Sequence, residues 1–306
     1  MPLDPHIRRF LDMMALGGEA DPSLAARREG LRSLARLAAC EIGGVGVRDL
    51  ALPGAAGMLP ARLYEPPMGG GGAGLVFFHG GGLVTGDLDT HDGICRTLAE
   101  GGLRVVSVAY RLAPEHLFPA ALDDALAATA WVAEHARSLG IDPGRLAIGG
   151  DSAGAGLAAA ACQEMRGDLA IAGQLLICPV LDPLGTSPSR RDHARGYFLD
   201  AGTIRRDAET CGLGTLASRF SPLRAADLRG LPPAHIHTAE FDPVRDDGAA
   251  YAARLRRAGV AVRHECHPGM IHFFYGLGRL IPRSRPILRA IAADFAGLLA
   301  GSRIAA

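Results

Sequence analysis

The sequence predicts an α/β fold in which a mostly parallel sheet is wrapped by helices on both faces. Three observations predict it. From residue 75 onward, short apolar runs alternate with helix-forming segments. One such run, residues 145–149, passes directly into Gly150-Asp151-Ser152-Ala153-Gly154 and then an Ala-rich segment, 155–165. Two amphipathic stretches precede every strand, so they must lie on something built later in the chain. Strict alternation implies parallel strands joined by crossover helices, and in such sheets the reactive groups gather beyond the carboxyl ends of the strands.

The elements follow in order. Within residues 5–40, Leu11, Met14, Leu24, Leu31, Leu34 and Leu37 recur at three- and four-residue intervals with arginines between, which predicts two helices. The break falls from Gly17-Gly18 to Asp21-Pro22-Ser23, with Ser23 as the second helix's cap. Strand-like pieces at 45–52 and 61–65, separated by a Gly- and Pro-containing stretch, form an antiparallel entry pair. Residues 68–74 are nearly all glycine and read as a connection. Strands at 75–78, 105–110, 146–149, 174–180, 235–239 and 260–267 bring the total to eight, interleaved with helices at 92–100, 120–138, 153–165, 247–258 and 286–299. Between residues 182 and 222 the alternation fails in a stretch rich in Arg, Asp, Gly and Thr, with residues 197–199 and 213–216 as apolar anchors. So long an excursion above the strand ends reads as a lid. The resulting division is a helical cap segment at 1–44, a core at 45–181 and 223–306, and a cap excursion at 182–222.

Composition narrows the function classes. Apolar residues make up 48% and charged residues 21% of the 306, ordinary for a large-cored globular protein. The formal net charge is zero, so nothing electrostatic points to a nucleic acid or an anionic membrane. Every basic residue among the 32 is arginine, which leaves no lysine for Schiff-base chemistry. The six cysteines are scattered, without a C-x-x-C pair or zinc-finger spacing, and read as free thiols in a reducing compartment. The first residues lack the basic head and apolar stretch of a signal peptide, and no run has the length of a membrane span. A cytoplasmic protein with no stable membrane anchor is expected.

The chemistry centres on Ser152. A glycine-flanked serine between strand and helix reads as a strained turn that raises the hydroxyl above the sheet. A nucleophilic serine needs a base, an acid to orient that base, and donors for an oxyanion. Asp242 lies just past an apolar strand, where a carboxylate reaches across to a base. Asp246 and Asp247 compete but open the next helix, where acids commonly cap free amides, and Glu240 ranks lower. His272 stands where the last strand exits; His267 is its rival, set back by Pro268, whose presence reads as a strand terminus. His235, His237 and His264 lie inside strands. The N–H of Ala153 and those of the glycine loop Phe78-His79-Gly80-Gly81-Gly82 are the oxyanion donors.

Together these motifs resemble the hormone-sensitive-lipase-like bacterial esterases of the α/β-hydrolase superfamily. The likeness rests on His79-Gly80-Gly81-Gly82 with Leu83-Val84-Thr85-Gly86-Asp87, on Tyr110-Arg111-Leu112-Ala113-Pro114-Glu115, on the Ser152 pentapeptide, on Phe241-Asp242-Pro243-Val244-Arg245-Asp246-Asp247-Gly248 and on Gly269-Met270-Ile271-His272-Phe273-Phe274. It runs over nearly the whole chain. The resemblance implies a carboxylic ester hydrolase acting on short to medium acyl esters, with Ser152, Asp242 and His272 as triad and the amides of Gly81, Gly82 and Ala153 as oxyanion hole. It implies no metal and no cofactor, a small-molecule ester as partner, and a homodimer through the sheet edge. It also makes His79 structural, with Asp151, Arg111 and Glu115 as polar support beneath the glycine loop. Leu83, Phe198 and Ile271 are the expected pocket residues. Leu83 stands where many relatives carry Trp or Phe, and Ala155-Gly156 replaces the more usual Gly-Asn. Hydrolysis of an amide, carbamate or lactone by the same triad is the alternative within the enzymes, and a small-molecule receptor on the same fold is the alternative outside them.

Overall fold

The computed structural model describes residues 2–17, 22–67, 71–214 and 218–301. The glycine-rich connection, the Gly17-Gly18 break and Leu216 therefore fall wholly or partly outside the described residues. Two helices, α1 (Pro5–Gly17) and α2 (Leu24–Ala38), precede the hairpin β1 (Gly46–Gly54) and β2 (Gly57–Glu65). The Ser23 hydroxyl caps α2 by accepting the Ala26 N–H at 3.2 Å. The alternating part runs β3 (Gly74–Phe78), α3 (Asp92–Glu100), β4 (Arg104–Val108), α4 (Ala120–Glu134), β5 (Leu146–Asp151), α5 (Ala153–Glu164) and β6 (Gly173–Ile177). Short helices α6 (Pro188–Asp192) and α7 (Ala201–Thr210) then occupy the excursion. The chain closes with β7 (Ala234–Phe241), α8 (Arg245–Arg257), β8 (Val262–Ile271) and α9 (Ser284–Gly301).

All eight strands form one sheet in the order β1-β2-β4-β3-β5-β6-β7-β8. β2 pairs antiparallel with both β1 and β4, and every later pairing is parallel. Alternate residues of the central strands feed two cores: Val76, Phe78 and Ile148 pack with α4, α5 and α8, whereas Leu75, Phe77 and Ala147 pack with α3 and α9. Burial on both faces explains why these strands read as continuous apolar runs. α1 and α2 add Ile7, Phe10 and Leu34 to the second core, so the segment that precedes the sheet is held by apolar contact with it.

Prolines end fewer strands than expected. β1 and β2 run through Pro53 and Pro60 to a tight turn at Ala55-Ala56. Pro53 lies on an edge strand, where a missing donor costs little, and the Pro60 carbonyl still accepts from the Ala109 N–H at 2.9 Å. β8 likewise continues past Pro268 to Ile271, because it too is an edge strand.

His235, His237 and His267 are buried between the β7–β8 edge and the α9 side of the core. His237 Nδ1 lies 3.2 Å from His267 Nε2, and His235 packs edge-on to Phe295. Burial pushes the pKa of each below the ordinary histidine value, well below it for His237. Each stays neutral in the native protein but takes a proton near pH 6.5 once unfolded. As pH falls below that value the unfolded chain binds more protons, so stability is lost until the folded-state values are reached. The thermal unfolding midpoint should therefore fall between pH 7 and pH 5, and His237→Leu should make that slope shallower. An equal slope in the variant would remove His237 from the account.

Candidate active site

Ser152 sits at φ 53°, ψ −120°, between the end of β5 and the first residue of α5. A non-glycine residue at positive φ is uncommon and is tolerated only where surrounding structure over-determines it. Here that structure is the close approach of strand and helix. A Cβ on Gly150 or Gly154 would overlap the carbonyl oxygen of Phe78 on the neighbouring strand. The turn is pinned from the other side as well: the Ser152 N–H donates to the Ile177 carbonyl at 2.9 Å, and the Ser152 carbonyl accepts from Val180 N–H at 3.0 Å.

The raised hydroxyl meets a histidine. Ser152 Oγ lies 2.9 Å from His272 Nε2, and His272 Nδ1 lies 2.8 Å from Asp242 Oδ2. A carboxylate only accepts, so Nδ1–H donates to Asp242 and Nε2 is left to accept from the serine hydroxyl. Asp242 follows β7 directly, and its second oxygen accepts the Val244 N–H at 2.9 Å. His272 follows β8 directly. All three side chains are buried, Asp242 completely. The competing acids lie elsewhere. Asp246 accepts the Ser189 N–H at 2.8 Å, and Asp247 accepts backbone N–H groups of Leu181 and Asp182 and pairs with Arg190 at 2.9 Å. Glu240 accepts from Gly269 N–H. Of the competing bases, His264 faces Thr238 and His267 faces His237.

The glycine loop after β3 lies beside Ser152. Gly81 and Gly82 have φ of 116° and 67°, and the Gly81 carbonyl accepts from Val84 N–H, Thr85 N–H and the Thr85 hydroxyl. Among the described residues, no hydrogen bond takes the N–H of Gly81, Gly82 or Ala153. Three unengaged donors at a helix start and a glycine turn are of the kind that can receive developing negative charge. Beneath them lies Asp151, wholly buried. It accepts Gly80 N–H at 2.9 Å and the Tyr275 hydroxyl at 3.0 Å, and His91 Nε2 stands 3.3 Å away. Burial raises the Asp151 pKa, but His91 and Tyr275 outweigh it and hold the group below its ordinary value. It therefore stays an acceptor. His79 stacks on Tyr110 at 4.4 Å and donates through Nδ1 to the Gly80 carbonyl at 2.8 Å; burial, reinforced by the nearby His91, lowers its pKa to about 4. It is neutral near pH 7.

Two expected supports are not there. Arg111 pairs instead with Asp124, which also accepts Ala55 N–H, and Glu115 pairs with Arg28 of α2. His91 and Tyr275 take their place beneath the loop, and neither stood out in the sequence. Tyr275 follows His272 by three positions, the signal that could have found it.

A cavity of about 340 Å³ opens onto Ser152 and His272, at the small end of ligand sites. Leu83 and Phe198 line it. Ile271 does not: as the last residue of β8 it turns into the core on the α9 side, and the neighbouring Phe273 lines the cavity in its stead, stacked on Phe198 at 5.8 Å. Among the described residues, the donor atoms of Cys178, Asp242 and His272 converge within 4.8 Å, close enough for a metal ion, but two of the three already bond each other.

A family profile described as the alpha/beta hydrolase fold matches residues 75–276, from the glycine loop's strand to just past His272. The chain belongs to this family. It is 41% identical over 290 residues to the esterase LipI of Mycobacterium tuberculosis, covering 92% of this chain and 90% of that protein. It is 38% identical over 300 residues to the ethyl acetate hydrolase of Pseudomonas putida, covering 92% and 94%. The solved structure of the hyperthermophilic esterase of Pyrobaculum calidifontis aligns with a TM-score of 0.90 at 37% identity, covering 97% of this chain and 99% of that one. The eight-stranded α/β-hydrolase fold and the likeness to the hormone-sensitive-lipase-like esterases thus rest on near full-length matches.

The packing makes one substitution decisive. Gly154→Ala places a methyl group against the Phe78 carbonyl, so the strand and helix must move apart. The unfolding midpoint should fall by several degrees, as for a change of a few kcal/mol in a chain this size. Calorimetry of the purified variant checks this, and an unchanged midpoint would show that the contact can relax freely.

Proposed function

We propose that this protein is a serine carboxylic ester hydrolase that works through an acyl-enzyme. The reading is carried by one observation: the unbroken chain Ser152–His272–Asp242 ending beside the unengaged amides of Gly81, Gly82 and Ala153. The esterase names of its relatives support the same class. In this mechanism Ser152 Oγ attacks the ester carbonyl carbon while His272 Nε2 takes its proton. Asp242 holds the imidazolium that forms, and the three amides receive the oxyanion. Collapse expels the alcohol, which takes the proton from His272. A water molecule, deprotonated by His272, then attacks the acyl carbon; the bond to Ser152 Oγ breaks, Oγ takes the proton back from His272, and the carboxylic acid leaves.

The cavity supports short to medium acyl esters. Its walls are largely apolar, and it is built jointly by residues of 1–44, of 182–222 and of the core: Leu31 of α2, Ile204 of α7, Leu83 and Phe220 are among them. The two outer segments act together as a cap over the acyl site. All six cysteines are unpaired, which supports a cytoplasmic setting. No helix among the described residues is long and apolar enough to cross a membrane. The free edge at β8 is the surface we assign to a homodimer contact.

Release of p-nitrophenol from acetyl, butyryl, octanoyl and palmitoyl esters tests the class. Wild type should turn over the shorter esters, Ser152→Ala none, and Asp242→Asn should fall by orders of magnitude, since a disoriented imidazole costs roughly 10⁴-fold in the related protease case. Turnover retained by Ser152→Ala would refute the mechanism. Leu83 is almost fully buried against the cavity, so Leu83→Trp should shift the ratio of octanoyl to acetyl turnover downward. A constant ratio would exclude Leu83 from acyl selection.

A further inference from the structure

An ion pair crosses the cap directly above the glycine loop. Arg27 of α2 meets Asp207 of α7 at two points, Nη1 to Oδ1 at 2.7 Å and Nη2 to Oδ2 at 2.9 Å. Both residues border the cavity. Asp207 is only 7% exposed, and its carboxylate presses on the loop so closely that a Cβ on Gly82 would overlap Oδ2. The α7 end is tied to the same loop, because the Cys211 thiol donates to the Gly82 carbonyl at 3.4 Å, and to the segment before α4, where the Cys211 carbonyl accepts Phe118 N–H at 2.9 Å.

A carboxylate buried there is a liability for the reaction proposed above. Negative charge develops on the substrate oxygen at the amides of Gly81 and Gly82, and a second negative charge pressed on that loop opposes it in a site largely closed to water. Besides Arg27, the groups that face Asp207 are Arg206 of its own helix and the Cys211 thiol. Burial raises the Asp207 pKa; the Arg27 guanidinium, bonded at two points, opposes this most and the Arg206 charge less, while the thiol, which burial pushes up to about 12, offers no positive charge. We propose that Arg27 is a positioning residue of the catalytic electrostatics: its guanidinium neutralises Asp207, so that the oxyanion loop faces a cap with no net charge. This rests on the esterase reading. It differs from a role as a strut between α2 and α7, because a strut needs both partners whereas neutralisation is needed only while Asp207 carries its charge.

The test is a charge-rescue cycle: Arg27→Met, Arg27→Gln, Arg27→Lys, Asp207→Asn and the double variant Arg27→Met/Asp207→Asn. Hydrolysis of p-nitrophenyl butyrate is followed from pH 5 to pH 9, and the rate of Ser152 labelling by a fluorophosphonate is measured alongside. Arg27→Met and Arg27→Gln should lose roughly 10- to 100-fold in kcat with KM changed by less than about threefold, the scale expected for one unscreened charge at this range. Arg27→Lys should keep most of the rate. Adding Asp207→Asn to Arg27→Met should recover at least tenfold. The rate of Arg27→Met relative to the double variant should fall as pH rises, because only Asp207 can ionise in one and not the other. Labelling should rank the variants in the same order, since the phosphonyl oxygen gathers negative charge at the same loop. A double variant as slow as Arg27→Met, with both folded by thermal unfolding, overturns the proposal in favour of a strut, and so does a fully active Arg27→Met. A wild type that is labelled at Ser152 but turns over no ester counts against the esterase reading, while the labelling order still decides the role of Arg27.

Discussion

The structure depends on a strained turn of one residue held by the near contact of two backbones. Ser152 occupies a positive φ because β5 and α5 approach the Phe78 carbonyl more closely than any side chain at 150 or 154 would permit. The strain is stored locally and balanced by the burial of everything around it: the whole of β5 and nearly the whole of α5 are closed to solvent. Relaxing the turn would pull the packed sheet and helix layers away from each other. That is why a serine hydroxyl, a weak nucleophile on a flexible side chain, can be aimed at His272 without a further clamp.

The same logic extends to the polar groups beneath the loop. Glycine loops are soft, and an oxyanion site must be rigid before the charge appears. Rigidity here comes from a buried carboxylate shared between neighbours: Asp151 belongs to the serine turn, yet it accepts from Gly80 of the loop and from Tyr275 beyond His272. One side chain therefore registers the loop, the serine turn and the histidine segment against each other. A buried charge is stable only when its lone pairs are filled, and the donors of Gly80, Tyr275 and His91 fill them. Loss of any one donor would loosen all three of these segments together.

What was legible in the sequence divides along the same physical line. The alternation of strands and helices, the serine turn and the positions of Asp242 and His272 were readable because each is a local pattern tied to a strand end. The strand limits at Pro53 and Pro268 were not, because whether a missing N–H matters depends on whether the strand lies at an edge, which only the sheet order reveals; Pro60 lies on the inner strand β2 but just past the last residue that β4 pairs. Ile271 was misread because the strand ends there: Phe273, two positions on, would share its face if β8 continued, but it takes a left-handed φ of 65°, so the core keeps Ile271 while the cavity takes Phe273. Arg111 and Glu115 belong to a motif beside the loop, but their partners, Asp124 and Arg28, come from a helix and a cap segment whose approach no spacing encodes.

The two outer segments follow a different rule from the core. Residues 1–44 and 182–222 are separated by well over a hundred residues and share little apolar sequence pattern, so they meet through charge as well as packing at Arg27 and Asp207, while Arg28 pairs with Glu115 of the core. The exposed pair contributes little, since water screens it. The pair over the glycine loop differs because it is enclosed, and breaking one side of an enclosed pair leaves a charge that neither water nor protein answers. Placing Asp207 on the loop thus ties α2, through Arg27, to the electrostatics of the glycine loop beside Ser152.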